Sequence, residues 1–330
     1  MIPHDHCNHD HDCHCNHDHS DCHDPNCDCH HDHDEIQSKY AQAFAKFDLH
    51  LHDEIIQETA KKIIADHSQE NNTDEVKQFL FSTLEITSLK VTDNEDNILQ
   101  LVERINAFCN ENAALPHPAG ICVYPRFVSL VSNSLEVDDM QVSTVCGGFP
   151  SSQTFPEIKT IETALAVKDG ATEIDVVMAV GFFLAKDYDT IYDEIDEIKL
   201  SCGSETPLKV ILETGALQTA QNVKKAAILA IFSGADYIKT STGKIEPGAT
   251  YDAVYTMCQT IKEYYDLTGT RIGLKIAGGV RTTEQAVNYY TIVKEVLGEE
   301  WLNNQLFRIG ASSLANDILS NLSGKVVKAF

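Results

Sequence analysis

From about residue 79 onward, short apolar stretches that suit β-strands alternate with longer stretches of helical periodicity. The predicted strands occupy residues 81–86, 121–124, 141–146, 173–178, 208–213, 237–240, 271–276 and 307–309. Helical stretches separate them, for example at 98–110, 157–169 and 218–232, and another follows the last strand near 312–322. Eight strand–helix units over roughly 250 residues match the size of a closed (β/α)₈ barrel, the TIM-barrel architecture of the α/β class.

The alternative is an open, doubly wound sheet. Such a sheet would be expected to carry a Gly-x-Gly-x-x-Gly turn after its first strand, and the sequence has none. The sequence therefore favours the closed barrel.

Charged side chains are predicted to point into this barrel near the carboxyl ends of three strands. Alternation along each strand turns Ile238 toward the helices and Lys239 inward, and the same argument turns Lys275 and Asp175 inward. Strands 6 and 7 are neighbours in such a barrel, so Lys239 and Lys275 would lie close together and repel each other. One of them is therefore expected to become a neutral, nucleophilic amine, with the carboxylate of Asp175 as proton carrier. The alternatives are a lysine whose head reaches solvent, or a buried ion-pair layer that includes Lys209 and Glu213.

The turns after strands 6, 7 and 8 suit an anion. Backbone N–H groups, hydroxyls and cations cluster at 241–244, at 278–281 and at 310–313, where a helix begins. In barrels of this kind the loops after strands 7 and 8 often hold phosphate.

These stretches resemble the deoxyribose-phosphate aldolase family, the class I Schiff-base aldolases. The resemblance covers roughly residues 79–322. It is carried by 121–127 (ICVYPRF), 173–177 (EIDVV), 208–214 (LKVILET), 239–244 (KTSTGK), 275–281 (KIAGGVR) and 310–313 (GASS).

The resemblance implies reversible cleavage of 2-deoxy-D-ribose 5-phosphate to glyceraldehyde 3-phosphate and acetaldehyde, without a cofactor. It implies that Lys239 forms the Schiff base, that Lys275 makes the Lys239 amine easier to deprotonate, and that Asp175 transfers protons. The substrate-binding residues that it implies are Glu85, Thr87, Cys122, Thr240, Gly243, Lys244, Gly278, Gly279, Arg281, Gly310, Ser312 and Ser313.

The chain departs from the family pattern at two places. Glu85 stands where the family usually has Asp, while Thr87 is retained, so the extra methylene is expected to move the carboxylate. Some members end in a tyrosine that reaches the site, whereas this sequence ends in Phe330.

Residues 1–35 form a His/Cys/Asp-rich segment with eleven His, six Cys, nine Asp and one Glu. So few apolar side chains predict a disordered tail, and mixed thiolates and imidazoles at short spacings predict bound Zn, Ni or Cu. The alternatives are a solvated acidic tail and, less favoured, disulfides within it. The predicted ligands are Cys7, Cys13, His14, Cys15, Cys22, His23, Cys27, Cys29 and His30.

The predicted organisation is this tail at 1–35, a helical N-terminal extension at 36–78 and the barrel at 79–330. A formal charge of −25 argues against nonspecific nucleic-acid binding. No apolar run approaches a membrane span and no signal peptide is evident, so we expect a cytoplasmic protein that acts on small phosphorylated sugars and acetaldehyde and forms a homo-oligomer.

Two rival functions remain at this point. One is a Schiff-base aldolase of the same barrel type that acts on another sugar phosphate. The other is a metal-storage or metal-sensing protein with an inactive barrel, which the presence of Lys239, Lys275 and Asp175 argues against.

Overall fold

The computed structural model describes residues 39–330. The predicted tail at 1–35, with its expected disorder and its nine metal ligands, lies outside the described residues. Among the described residues, none of the helices is both long and apolar enough to cross a membrane.

Eight parallel strands close into a barrel in chain order, and β8 completes the ring by pairing with β1. The strands are β1 Leu84–Thr87, β2 Gly120–Val123, β3 Gln141–Cys146, β4 Glu173–Val177, β5 Leu208–Ile211, β6 Tyr237–Lys239, β7 Gly273–Ala277 and β8 Phe307–Ala311. The predicted (β/α)₈ barrel is therefore confirmed.

Helices surround the barrel. They are α1 Lys39–Phe44, α2 Asp53–His67, α3 Asp74–Ser82, α4 Glu95–Glu111, α5 Val128–Ser134, α6 Pro156–Lys168, α7 Val180–Leu184, α8 Tyr188–Cys202, α9 Thr214–Leu217, α10 Ala220–Phe232, α11 Tyr251–Thr268, α12 Thr283–Leu297 and α13 Ser313–Ser323. Several begin at a threonine whose hydroxyl accepts a backbone N–H of the first turn, as Thr219, Thr250 and Thr282 do, which defines where each helix starts after its strand.

The outward faces of the strands are apolar and pack beneath the helices. Ile174, Leu208, Ile238 and Leu274 are fully buried in this layer. The inward faces carry mostly polar side chains, among them the buried Asp175, Lys209, Lys239 and Lys275. Gly273 leaves room for the Tyr237 ring, which would lie 2.2 Å from any Cβ at that position.

The first strand begins later than predicted. The helix α3 continues to Ser82, and the Thr83 hydroxyl donates to the Leu80 carbonyl at the end of this helix. Residues 81 and 82 are therefore helical, and β1 starts only at Leu84. Phe81 is buried in the core as part of helix α3. A buried apolar residue suits a strand equally well, so the sequence did not show which element carries it.

The N-terminal helices belong to the outer layer of the barrel. The helix α2 packs against α11 and α12. Just after it, the buried Asn71 side chain donates to Thr291 Oγ1 at 3.1 Å and accepts from Lys294 Nζ at 3.0 Å, both on α12. Within the predicted helical stretch at 36–78, the described residues form α1, α2 and the first half of α3.

Candidate active site

The strand register brings four charged side chains together inside the barrel. Lys239 on β6 is paired directly with Lys275 on β7, and Asp175 on β4 with Lys209 on β5. All four side chains are buried. The inward direction predicted for Lys239, Lys275 and Asp175 is what the structure shows.

One carboxylate oxygen joins the two predicted catalytic lysines. Asp175 Oδ2 accepts hydrogen bonds from Lys239 Nζ and from Lys275 Nζ, each at 2.7 Å. Burial alone would raise the pKa of this carboxyl group, but the nearby ammonium groups of Lys239, Lys275 and Lys209 outweigh it and hold the pKa well below its usual range. Asp175 is therefore a carboxylate at neutral pH.

The two lysines differ in their surroundings. Lys275 also donates to Glu85 Oε2, so it contacts two carboxylates. Burial would lower the pKa of Lys275, yet Asp175 and Glu85 outweigh it and raise that pKa above its usual range. Among the described residues, Lys239 has one carboxylate partner, Asp175. Lys275 is thus held as an ammonium group between two carboxylates, whereas Lys239 contacts one.

A second charge cluster lies beside these groups, and two of its members, Glu173 and Arg308, were not predicted from the sequence. Glu173 contacts Lys209 Nζ at 2.6 Å and Arg308 Nη2 at 3.0 Å, while Lys209 and Arg308 also approach Glu85 Oε1 at 3.8 and 3.6 Å. The ion-pair layer suspected for Lys209 therefore exists, with Glu173 as its near partner. Glu213 instead accepts from Thr242 Oγ1 at 2.5 Å. The sequence did contain a signal for Glu173. It lies two residues before Asp175 on β4, and alternation along a strand puts both side chains on the same face.

A cavity of about 290 Å³ opens at the carboxyl ends of β1, β6, β7 and β8. Lys239 lines it, whereas Lys275 does not. Four cations, Lys90, Lys239, Lys244 and Arg281, are among the described residues that line the cavity, and no carboxylate is. In a chain with a formal charge of −25 this is a local excess of positive charge that suits an anionic ligand.

Most of the predicted substrate-binding residues line this cavity. They are Thr87, Gly243, Lys244, Gly278, Gly279, Arg281, Gly310, Ser312 and Ser313. Gly278 and Gly279 have φ of +93° and +83°, a conformation that favours glycine, and Gly278 approaches Gly248 closely. Ser313 begins α13, and the first backbone N–H groups of a helix have no partner within it. Lys90 was not predicted from the sequence, because only its position beside the cavity in the folded structure identifies it as a site residue.

Three predicted substrate-binding residues lie away from the cavity wall. The Thr240 hydroxyl donates to the Ala277 carbonyl at 2.8 Å and accepts from the Ala277 N–H at 2.9 Å, so it joins β6 to β7. Cys122 packs with Leu89 and Val145, and its burial raises the pKa of the thiol to about 11. Glu85 is bonded to Lys275 inside the barrel.

Phe330 is held away from the Lys239–Asp175 pair. Its ring packs against Phe81 and Phe108, with ring centroids 6.4 and 5.1 Å apart. The Asn316 side chain accepts its backbone N–H at 3.1 Å and donates to its carbonyl at 2.8 Å.

Residues 63–317 match the family model described as DeoC/LacD family aldolase. The chain is 40% identical over 245 residues to the deoxyribose-phosphate aldolase of Homo sapiens, covering 71% of this chain and 77% of the relative. It is 41% identical over 254 residues to a Caenorhabditis elegans protein provisionally named as a deoxyribose-phosphate aldolase, with 76% and 82% covered.

Among solved structures, the chain is similar to a tetrameric deoxyribose phosphate aldolase from Aeropyrum pernix. The TM-score is 0.62 at 24% identity, and the match covers 79% of this chain and 98% of the other. At this identity the likeness supports the fold.

The charge pairing around Glu85 predicts a specific loss of stability in acid. Burial opposes ionisation of Glu85, but the cations of Lys209 and Lys275 outweigh it and lower the pKa from 4.5 to about 2. Because the folded pKa is depressed, this stabilisation is present above the unfolded pKa and is lost as the pH falls toward about 2. We expect the free energy of unfolding of Glu85→Gln to lie below that of the wild type at neutral pH, with a difference that shrinks below pH 4.5.

Urea unfolding at a series of pH values measures this difference. Glu85→Asp is the matched control, since it keeps a carboxylate on this residue, one methylene shorter, and should keep part of the pH dependence. Parallel curves for wild type and Glu85→Gln would show that this carboxylate is not stabilised by its neighbours.

Proposed function

Because the chain belongs to the DeoC/LacD aldolase family, we propose that it catalyses the reversible aldol cleavage of 2-deoxy-D-ribose 5-phosphate to D-glyceraldehyde 3-phosphate and acetaldehyde through a lysine Schiff base. The observation that carries this proposal is the position of Lys239. Its amine lies 2.7 Å from Asp175 while its side chain lines a cavity rich in cations.

Lys239 is the nucleophile in this proposal. Its nitrogen attacks the aldehyde carbon of the open-chain sugar, and loss of water gives an iminium ion. The C3 hydroxyl then loses its proton, the C2–C3 bond breaks, and the electron pair passes into the iminium to leave an enamine on Lys239. Glyceraldehyde 3-phosphate departs, C2 is protonated, and hydrolysis releases acetaldehyde.

Asp175 and Lys275 support these proton movements. Asp175 is a carboxylate within hydrogen-bond distance of Lys239, so it can take the proton that the amine must lose, and it can pass protons onward through water. Lys275 stays charged, and a fixed ammonium group near Lys239 disfavours a second positive charge there.

The phosphate would lie at the far side of the cavity, against Arg281, Lys244 and the start of α13. Ser312 and Ser313 offer hydroxyls, and the free N–H groups of the helix start add favourable partial charge. Binding energy at this remote group positions the reacting carbons over Lys239.

This mechanism uses no metal, because the iminium group provides the electron sink. We propose separately that the tail at 1–35 binds Zn, Ni or Cu through its thiolates and imidazoles. The chain would then have three parts: this tail, a helical extension at 36–78 and the aldolase barrel at 79–330.

We further propose that the enzyme is cytoplasmic and forms homo-oligomers. The five cysteines of the described residues are all free, as in a reducing compartment. The Aeropyrum pernix relative is tetrameric, which supports the proposal that copies of this chain also associate.

Replacing the nucleophile should abolish the reaction. We expect Lys239→Ala to lower kcat by roughly 10⁴-fold or more and to prevent covalent trapping by acetaldehyde and borohydride. Lys275→Met should slow turnover yet leave the adduct on Lys239. Mass spectrometry of the trapped protein locates the modified lysine, with the exposed Lys262→Ala as control. An adduct on Lys275 would reverse the two roles.

Phosphate recognition should be separable from the chemistry. Losing a charge-assisted bond costs about 1.5–3 kcal/mol, so Arg281→Ala should lower kcat/KM for deoxyribose 5-phosphate by roughly 10- to 150-fold. The value for unphosphorylated deoxyribose should change little. Arg271→Ala is the matched control, because Arg271 is exposed near the opposite end of β7 and pairs with Glu300. Equal losses on both sugars would place the phosphate elsewhere.

The tail and the aldolase activity should be independent. A chain that begins at Glu35 should keep its activity and lose most of its metal capacity, and chelators should leave the full-length enzyme active. Metal binding should weaken as the pH falls, because thiols and imidazoles must lose protons to bind. Aldolase assays and metal analysis of both proteins test this. Loss of catalysis on chelation or truncation would contradict the proposed mechanism.

A further inference from the structure

Glu213 is a buried carboxylate that the proposed reaction does not use. It follows β5, is 2% exposed and does not line the cavity that Lys239 lines. Among the described residues no cation pairs with it. Both of its oxygens instead bind Thr242, which does line the cavity. Oε1 accepts the Thr242 backbone N–H at 3.2 Å, and Oε2 accepts the Thr242 hydroxyl at 2.5 Å. A carboxylate without a cation is costly to bury, so these two hydrogen bonds are what offset its burial.

The backbone at Glu213 is strained. Its φ is +56° and its ψ is +58°, a left-handed conformation that is unfavourable for a residue with a Cβ atom. The Leu212 N–H donates to the Lys239 carbonyl at 2.9 Å. The Thr214 N–H donates to the carbonyl of the next residue, Thr240, so the chain after β5 advances two residues while the chain of β6 advances one. Glu213 is therefore the extra residue of a β-bulge, a feature that redirects a side chain beside a site.

Thr242 transmits the restraint from Glu213 to Lys244. The Thr242 hydroxyl donates its proton to Glu213 and accepts the Lys244 backbone N–H at 3.1 Å. The Lys244 ammonium group donates to the Leu89 carbonyl, and both of these residues line the cavity. The backbone of Lys244 is thus held from the side of β5, while its side chain reaches the segment that follows β1.

The later part of the same loop is fixed by close backbone contacts. A Cβ atom at Gly215 would lie 2.1 Å from the carbonyl oxygen of Pro247, and one at Gly248 would lie 2.4 Å from the carbonyl oxygen of Gly278. The segments after β5 and β7 therefore enclose this loop from two sides. Glu213 provides the side-chain contact to its earlier part.

We propose that Glu213 is a positioning residue for anion recognition. By fixing the Thr242 hydroxyl it fixes the backbone at Lys244, so that this cation is in place at the cavity before a phosphorylated sugar binds. A preformed site has less ordering entropy to lose on binding than a mobile one. Glu213 does not line the cavity and acts only through Thr242. The inference rests on the proposed function, in which Lys244 binds the phosphate.

Glu213→Gln tests this role with little change of shape. The carboxylate accepts two hydrogen bonds from Thr242, whereas an amide of the same size offers one acceptor. We expect kcat/KM for deoxyribose 5-phosphate to fall roughly tenfold, mainly through a higher KM, because a hydrogen bond to a charged group is lost. The value for unphosphorylated deoxyribose should change little. The Kd of inorganic phosphate, measured by titration calorimetry, should rise by a similar factor.

Asp236→Asn is the matched control. The Asp236 carboxylate also joins the chain of β5 to that of β6, because it accepts the Leu208 N–H at 2.7 Å. It lies just before β6, at the end of the strand remote from the cavity, and pairs with Lys199. This variant should lose stability to urea yet leave the ratio of the kcat/KM values for the two sugars unchanged.

Thr242 variants test the same hydrogen bond from its other end. Thr242→Val removes the hydroxyl and should weaken phosphate binding as Glu213→Gln does, whereas Thr242→Ser keeps the hydroxyl and should retain wild-type behaviour. Since Glu213 acts through this hydroxyl, the double variant should bind phosphate no more weakly than Thr242→Val alone.

A folded Glu213→Gln protein with wild-type kinetics and phosphate affinity would overturn the role of Glu213. Equal losses on both sugars, or losses that multiply in the double variant, would do the same. Circular dichroism checks folding, and if Glu213→Gln does not fold, the contrast between Thr242→Val and Thr242→Ser decides. A wild type that fails to cleave deoxyribose 5-phosphate would contradict the proposed reaction instead, while phosphate titration would still measure the effect of Glu213.

Discussion

The hydrogen bonds from Lys239 and Lys275 to one oxygen of Asp175 are the interaction on which the site depends. Two ammonium groups inside a barrel of low dielectric would repel strongly without an anion between them. Asp175 permits their approach, and Glu85 gives Lys275 a second carboxylate. The two lysines therefore differ: Lys275 contacts two carboxylates inside the barrel, whereas Lys239 contacts one and lines the cavity.

The charges around this pair extend across the barrel. Glu173, Lys209 and Arg308 form a second cluster that reaches Glu85 and Asp175, so the interior is nearly balanced in charge. The cavity above it is unbalanced, with four cations among its described lining residues. An acidic protein thus combines a paired interior with a positively charged cavity that suits an anionic ligand.

Sequence reasoning was sufficient where a local rule decides the outcome. Alternation along a strand placed Lys239, Lys275 and Asp175 on the inner face, and closure of a parallel barrel brings inner residues near the same strand ends into one place. It was insufficient where partners come from distant strands. Glu173 and Arg308 are 135 residues apart in the chain, so their pairing follows only from the closed barrel. Lys90 is likewise identified only by its position beside the cavity.

The sequence by itself determined the eight strand–helix units, the family resemblance and the group of charged residues at the strand ends, because periodicity and residue type act locally. Only the tertiary structure decided which lysine lines the cavity, that Thr240 bonds to Ala277 and that Glu85 reaches Lys275. These outcomes depend on strand register and side-chain length across the closed barrel, and neither is a property of a single segment.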